Sequence, residues 1–145
     1  MSVGRICSRV VATASAGESI RVAARRMAEN DVGTLVVVGP TQPRHAVGIV
    51  TDRDVAIRSM ARRYDPDATA VSEVMSTPVH TVEEHTPVED AIATMARLGI
   101  RRLVVTGEDN RLAGLLSMDD VLGVMVEETA AVGRLLEQQK AKIPA

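Results

Sequence analysis

Two short motifs with the same spacing carry the side chains best suited to chemistry. Thr51 and Asp54 close the run 48–54, and Ser117 and Asp120 close the run 114–120. Each run reads glycine, two apolar residues, a hydroxyl residue and, three positions later, an aspartate. A hydroxyl and backbone N–H groups at the start of a helix can bind an anion, and a carboxylate suits a vicinal diol. The alternative is that all four residues only cap helices.

The two motifs belong to an internal repeat. Residues 11–39 align with residues 79–107 at a constant offset of 68, with nine identities in 29 columns. The loop that follows is two residues shorter in the second copy, so the closing motifs align at an offset of 66. A repeat of this length is too long for a solenoid unit and short for a lone domain. We therefore expect two copies to share one core, with function at the pseudo-twofold between them.

The hydrophobic pattern predicts the order strand, helix, strand, strand, helix in both copies. The first copy is expected to have a helix at 19–30, strands at 34–38 and 46–51, and a helix at 52–64. The second is expected to have a strand at 79–82, a helix at 87–98, strands at 103–105 and 112–116, and a helix from Ser117 or Asp119 to 136. Thr86 and Glu89 should form a capping box. The expected organisation is repeat one at 8–64, a linker at 65–75, repeat two with an extended C-terminal helix at 76–136, and a tail at 137–145.

The element order, the duplication and the closing motif together resemble a tandem pair of cystathionine β-synthase (CBS) domains, often called a Bateman module. The likeness runs from about Ser8 to Leu122. It implies an α/β (α+β) fold in which two β-α-β-β-α units pack sheet to sheet about a pseudo-twofold, creating two clefts. In many family members these clefts bind adenine nucleotides. The resemblance places ribose hydroxyls on Asp54 and Asp120, and phosphate near Thr51 and Ser117.

Further contacts follow from the same resemblance. The family's apolar-x-Thr pattern recurs at 11–13 and 79–81, where the main chain meets the adenine edge, and Ile49, Ile100 and Leu115 are natural apolar walls. Arg101 and Arg102 align with Gly33 and Thr34, so the two sites cannot be chemically alike, and guanidinium suits phosphate. Arg58 is expected to reach a phosphate beside Ser117, and the alternative for each of these three arginines is a solvated surface charge. The favoured site therefore comprises Val79, Thr81, Ile100, Arg101, Arg102, Ser117, Asp120 and Arg58, and the weaker one comprises Val11, Thr13, Gly33, Thr34, Thr51 and Asp54.

Composition disfavours several other functions. The chain carries 17 basic and 19 acidic residues and a single aromatic, Tyr64, so neither charge nor stacking favours nucleic acid or an anionic membrane. Cys7 is the only cysteine, and no apolar stretch at the start suits a signal peptide or a membrane span, so the cytoplasm is expected. His45, His80 and His85 lack metal-ligand spacing, and no catalytic motif is recognisable. We expect no enzymatic activity.

These observations predict a stand-alone regulatory module that requires no cofactor. Its regulatory ligand is expected to be AMP, ADP or ATP, with NAD(H) as a further candidate. The module should form a homodimer and act on an effector protein in trans. The amphipathic run from Val121 to Leu136 offers extra interface, or alternatively packs within the chain. The alternative function is a ligand-free interaction scaffold whose clefts are closed by side chains, with an Arg101–Asp120 ion pair as its signature.

Overall fold

Each repeat forms a three-stranded sheet flanked by helices. The computed structural model describes residues 1–41 and 44–142. The first sheet contains β1 (Thr13–Ser15), β2 (Thr34–Val38) and β3 (Ala46–Thr51), and the second contains β4 (Thr81–Glu83), β5 (Arg102–Thr106) and β6 (Leu112–Ser117). The helices are α1 (Val3–Ile6), α2 (Ile20–Asn30), α3 (Val88–Leu98) and α4 (Met118–Ala141), with a π-helix at Asp54–Ser59 and 3₁₀ turns at Val71–Glu73 and Glu108–Asn110.

The two sheets match strand for strand. In each sheet the first strand pairs in parallel with the second, which pairs antiparallel with the third. Thr34 lies opposite Thr51 in the first sheet, and Arg102 lies opposite Ser117 in the second. The register shifts at the same place in both hairpins, between residues 37 and 38 and between residues 105 and 106. The predicted duplication and α+β fold are therefore confirmed.

The central strand of each sheet is covered on both faces. Leu35 and Val37 pack against α2 in the first hydrophobic core, so the side chain of Val36 must point to the opposite face, because strand side chains alternate. Val36 and its counterpart Val104 are nevertheless fully buried, outside both hydrophobic clusters. Sheet-against-sheet packing of the two repeats accounts for this burial.

Two short segments each pack on the repeat to which they do not belong in sequence. We call residues 3–8, which lead into repeat one, the first lead-in, and residues 71–76, which lead into repeat two, the second lead-in. Val3 and Cys7 of the first lead-in are buried in the core of repeat two, while Val71 and Val74 of the second are buried in the core of repeat one. Each repeat is therefore completed by the segment that begins the other.

The hydrogen bonds of the two lead-ins are equivalent. The N–H of Val3 donates to the carbonyl of Thr86 at 2.9 Å, and the N–H of Val71 donates to the carbonyl of Glu18 at 2.8 Å. At the other end, isolated β-bridges join Ser8 to Leu115 and Ser76 to Ile49. All of these positions correspond under the offsets of 68 and 66, although the predicted first repeat began only at residue 8.

Some predicted boundaries are wrong. Helix α3 begins at Val88 after an extended Pro87, which makes no side-chain capping bond, so the predicted Thr86–Glu89 capping box does not form. The helical residues after β3 end at 61 rather than 64, and α4 continues through Ala141, past the predicted end at 136. Residues 143–145 of the predicted tail lie outside the described part of the chain.

The close approach of the first lead-in to β6 makes Gly114 sensitive to substitution. A Cβ at Gly114 would lie 2.7 Å from the sulfur of Cys7 and 2.8 Å from the backbone oxygen of Ser8. Gly114→Ala should therefore destabilise the fold by about 1–3 kcal/mol in urea unfolding. The matched control is Gly123→Ala in α4, where the added Cβ meets open space and should stabilise the helix by about 0.5–1 kcal/mol. Equal stability of the two variants would contradict the tight lead-in packing.

An ion pair in repeat one should make its stability depend on pH. Arg26 donates to both carboxylate oxygens of Glu18 and to the carbonyl of Thr13 at 2.8 Å. These hydrogen bonds from Arg26 are the main reason that the pKa of Glu18 is lowered from its ordinary value of 4.5. A lowered folded pKa means that the stabilisation is fully present above pH 4.5 and is lost as the pH falls through the folded pKa.

Glu18→Gln should therefore cost about 1 kcal/mol at pH 7, measured by urea unfolding. The difference from the wild-type chain should shrink steadily as the pH is lowered from 4.5, because wild-type Glu18 then becomes protonated too. Glu127→Gln, which neutralises an exposed carboxylate on α4, is the charge-matched control and should change little. A cost for Glu18→Gln that does not vary with pH would contradict the assignment.

Candidate functional site

A cleft of about 460 Å³ lies between the two repeats. We call it the interrepeat cleft. Repeat one contributes the end of β3 and the start of the π-helix, and repeat two contributes the chain before β4 and the turn between α3 and β5. The lining residues are Ile49, Thr51, Arg53, Asp54, Ser76, Pro78, Val79, His80, Gly99, Ile100, Arg101 and Arg102. Its volume lies in the range of small-molecule sites.

The exchange of lead-ins creates this cleft. Ser76 and Ile49 exchange two backbone hydrogen bonds, of 2.7 and 3.2 Å, which hold the second lead-in beside β3. The next residues, Pro78 to His80, are therefore carried past the end of β3, where Thr51 and Asp54 begin the π-helix. The closing motif of repeat one consequently faces the first strand region of repeat two.

Thr51 and Asp54 form a reciprocal cap at the start of the helix. The N–H of Asp54 donates to Oγ1 of Thr51 at 3.1 Å, and the N–H of Thr51 donates to Oδ2 of Asp54 at 3.0 Å. Oδ2 also accepts from the hydroxyl of Ser76 at 3.4 Å, while Oδ1 lies 3.5 Å from Nε of Arg58. Oδ2 is therefore committed to internal bonds, and Oδ1 retains capacity to accept from a ligand in the cleft.

The second closing motif is built in the same way. The N–H and the hydroxyl of Ser117 both donate to Oδ2 of Asp120 at 2.8 Å, and the N–H of Asp120 donates back to the hydroxyl oxygen of Ser117 at 3.1 Å. The capping role that was an alternative at the sequence level is thus present at both motifs. Capping and ligand contact are compatible, because each carboxylate has two oxygens.

The interrepeat cleft is rich in positive charge. Arg53, Arg101 and Arg102 line it together with one carboxylate, that of Asp54. The ion pair between Arg101 and Asp119 is loose, at 4.0 Å, and both side chains are mostly exposed, so it contributes little. The predicted Arg101–Asp120 pair of the scaffold alternative is not the contact observed. Ile49, Val79 and Ile100 add apolar walls.

The structure groups the predicted site residues differently from the sequence prediction. We expected Ser117 and Asp120 to share a site with Val79, Ile100, Arg101 and Arg102, but these four residues line the cleft that contains Thr51 and Asp54. Ser117 meets the two arginines only in a crevice of about 10 Å³, which has room for about one water molecule. The cavities group these residues differently from the prediction because the lead-ins cross over, and which residues contact a ligand stays a prediction.

The remaining predicted residues lie elsewhere. Thr13 and Thr81 sit in β1 and β4, opposite Val36 and Val104, and neither lines the interrepeat cleft. The Ser8–Leu115 bridge matches the Ser76–Ile49 bridge, so the pseudo-twofold assigns Val11, Gly33 and Thr34 to the side of Ser117 and Asp120. At that second position, Asp119, Gly33 and Thr34 replace Arg53, Arg101 and Arg102. The alignment therefore gives that position no counterpart of the three arginines, and Arg101 and Arg102 reach it only at the small crevice beside Ser117.

Arg58 binds the second lead-in, and its predicted phosphate contact beside Ser117 stays a prediction. Its Nη1 donates to the carbonyls of Val74 and Met75, at 3.1 and 3.0 Å. Arg58 lies one helical turn beyond Asp54, on the helix face that packs against the second lead-in, and this placement explains these contacts.

Sequence reasoning missed Arg53, Ser76, Pro78 and Gly99 as cleft residues. The signal that could have revealed part of this set was present, because the offset of 68 continues back from residue 11 to residue 3 and pairs Ser8 with Ser76 and Val3 with Val71. Extending the alignment would have placed the lead-ins within the repeats, although not on the opposite cores.

Comparison with known proteins identifies the family. A family model of the CBS domain matches residues 3–60 and again residues 71–127, so both matches include a lead-in. The chain belongs to the CBS domain family and carries two CBS domains in tandem, as the sequence resemblance implied.

Relatives match along most of the chain. A protein of Methanopyrus kandleri is 34% identical over 140 residues, which cover 97% of this chain and 69% of that protein. The structure of a CBS domain protein from Pyrobaculum aerophilum complexed with AMP is 30% identical, with a TM-score of 0.74 over 83% of this chain and 89% of that one. A CBS domain pair in complex with 5′-methylthioadenosine and S-adenosyl-L-methionine is 25% identical, with a TM-score of 0.74 over 86% of this chain and 99% of that one.

None of the helices in residues 1–41 and 44–142 is both long enough and apolar enough to span a bilayer. In the same ranges, no three His, Cys, Asp or Glu side chains are grouped as a metal site would require.

The contribution of the hydrogen bonds between Arg58 and the second lead-in, which we call the tether, can be tested by substitution. Arg58→Met keeps most of the aliphatic stem and removes two hydrogen bonds and the contact with Asp54, so it should destabilise the fold by about 1–2 kcal/mol in urea unfolding. Arg25→Met, at an exposed position of α2, is the control and should be nearly neutral. Equal stability of the two variants would show that the tether contributes nothing.

Proposed function

We propose that this chain is a regulatory module that binds an adenine nucleotide in the interrepeat cleft. The observation that carries the proposal is the set of residues that line the cleft together: apolar residues, one aspartate at the start of a helix and three arginines. The apolar walls Val79 and Ile100 suit a purine ring, the carboxylate of Asp54 suits a ribose diol, and the arginines suit phosphate.

The relatives support an adenosine-containing ligand. The Pyrobaculum protein was solved with AMP, and the other CBS domain pair with 5′-methylthioadenosine and S-adenosyl-L-methionine. Adenosine is common to all three compounds, but their charges differ, since AMP is an anion and S-adenosyl-L-methionine carries a sulfonium cation. Arg53, Arg101 and Arg102 favour the anion. AMP, ADP and ATP are therefore the leading ligands, and NAD(H) is a further candidate because its pyrophosphate is also anionic.

The two positions should not bind such a ligand equally. The interrepeat cleft has three arginines and one aspartate, whereas Asp119, Gly33 and Thr34 stand in their place at the pseudo-equivalent position, and Arg101 and Arg102 share only a crevice of about 10 Å³ with Ser117. One anionic nucleotide per chain is expected, bound beside Asp54. This ranking reverses the one expected from sequence, because the arginines lie with the first closing motif.

Regulation would follow from the position of the cleft. A ligand that contacts both repeats can shift the equilibrium between two arrangements of them only by its differential affinity for those arrangements. We propose that the resulting change is transmitted to an effector protein in trans by a homodimer of this chain in the cytoplasm. The proposed role is binding and signalling, without a resident cofactor and without catalysis.

The test is titration of the purified chain with AMP, ATP and NAD by calorimetry. Asp54→Ala should weaken binding about tenfold to a hundredfold, because a hydrogen bond to a charged group contributes about 1.5–3 kcal/mol. Asp120→Ala is the matched control: it removes the same capping bonds from the other repeat, and it should leave the affinity nearly unchanged. Equal losses in both variants, or a larger loss in Asp120→Ala, would contradict the site assignment.

A second arm examines the phosphate contacts. The double variant R101A/R102A should lose more affinity for ATP than for adenosine, since only ATP presents phosphates to the arginines. Flat titrations with every nucleotide, together with no nucleotide released on denaturing the protein, would exclude the nucleotide proposal and favour the interaction scaffold.

A further inference from the structure

Helix α4 extends well beyond the fold that supports it. The helical residues after β3 end at 61, whereas α4 continues fourteen residues past the aligned position to Ala141. This extra length corresponds to about 21 Å. Val121 is buried against the core of repeat two, but every residue from Met125 to Lys142 is exposed.

The projecting part of α4 keeps an apolar stripe. Six large apolar side chains of the helix are 47–67% exposed: Leu122, Met125, Val126, Val132, Leu135 and Leu136. Four of them, Leu122, Met125, Val132 and Leu136, follow a heptad pattern together with Thr129 and Gln139, in which residues 122, 129 and 136 take one seam position and residues 125, 132 and 139 take the other. Such a seam is typical of a helix that packs against a second helix.

Charge along α4 indicates the orientation of the partner helix. Residues 118–129 contain four acidic side chains and no basic one, whereas residues 130–142 contain three basic side chains and one acidic. A parallel pair of α4 helices would place the two acidic halves together. An antiparallel pair places each acidic half against a basic half and also opposes the helix dipoles favourably.

We propose that α4 pairs antiparallel with α4 of a second copy of this chain. The seam register then places Met125 beside Leu136 of the second copy and Thr129 beside its Val132, and the two-fold axis repeats each contact. Asp119 and Lys140 of opposite copies flank the seam. This arrangement is isologous and closes at two chains, as a stable homodimer requires.

A groove next to α4 fits the same partner. Val121, Val124 and Met125 of α4 line it together with Val88 and Ile92 of α3, and its volume is about 350 Å³. Leu135 and Glu128 each directly precede a seam residue. In the antiparallel register, Leu135 of the second copy therefore lies beside Glu128, which also lines this groove. The groove would therefore receive an apolar side chain that is exposed in a single chain.

The first experiment measures the molar mass of the full chain by light scattering after size exclusion. The wild-type chain should be a dimer, and V132E/L136E should halve the mass, because both substituted residues lie on the seam. A130E/A131E adds the same two charges to the opposite side of the same helix and should remain a dimer. A monomeric wild-type chain, or a V132E/L136E variant that stays dimeric, would overturn the proposal.

Cross-linking tests the orientation. In an antiparallel pair, M125C/L136C should form an intermolecular disulfide on oxidation, whereas neither single variant should, because like residues then lie about 16 Å apart, beyond disulfide reach. Buried Cys7 is present in every variant and serves as the internal control. Efficient dimerisation of L136C alone would indicate a parallel pair and overturn the antiparallel assignment.

This proposal rests only on the homodimer part of the proposed function, and the two can fail separately. Calorimetry of V132E/L136E with AMP reports on the cleft, which none of the substituted residues lines. A monomer that still binds nucleotide would leave the cleft assignment intact while defining the helix pair as the dimer contact.

Discussion

The exchange of the lead-in segments is the constraint on which the rest of the structure depends. Residues 3–8 complete the core of repeat two, and residues 71–76 complete the core of repeat one, through equivalent buried side chains and backbone hydrogen bonds. Because Ser76 is held beside Ile49, the following residues pass the end of β3 and form one wall of the interrepeat cleft. Arg58 reinforces this placement by binding two carbonyls of the second lead-in. The packing of each lead-in on the opposite repeat therefore completes the two cores and also forms the interrepeat cleft.

Internal symmetry governs the backbone, whereas the side chains differ between the two halves. Both closing motifs make the same reciprocal caps, and both hairpins shift register at equivalent positions. At the points where a ligand would be held, Arg53, Arg101 and Arg102 stand opposite Asp119, Gly33 and Thr34 in the alignment. A symmetrical scaffold therefore presents two chemically different positions, and this difference is the basis for expecting unequal occupancy.

Much of the fold was predictable from sequence because the hydrophobic periodicity and the internal repeat both predicted the same helices and strands. The strands at 34–38 and 46–51 were predicted with their observed limits, since apolar runs bounded by turn residues define them well. The composition of the cleft was not predictable in the same way. Alignment shows which residues are equivalent but not whether a segment packs on its own repeat or on the other, so it did not indicate that Arg101 and Arg102 line a cleft with Thr51 and Asp54. The Thr86 capping box failed for a local reason, because the extended backbone of Pro87 delays the start of α3 to Val88.

The reciprocal exchange also bears on how such a chain could have arisen. Two copies of a single repeat that traded their N-terminal segments would form a domain-swapped dimer, a low-cost route to association. Joining those copies end to end would preserve every exchanged contact and would require only a connecting segment. The present chain has the arrangement that such a fusion leaves behind. One half cut from the chain would lose the buried packing that Val3 or Val71 provides, so such a unit would need a second copy to complete its core.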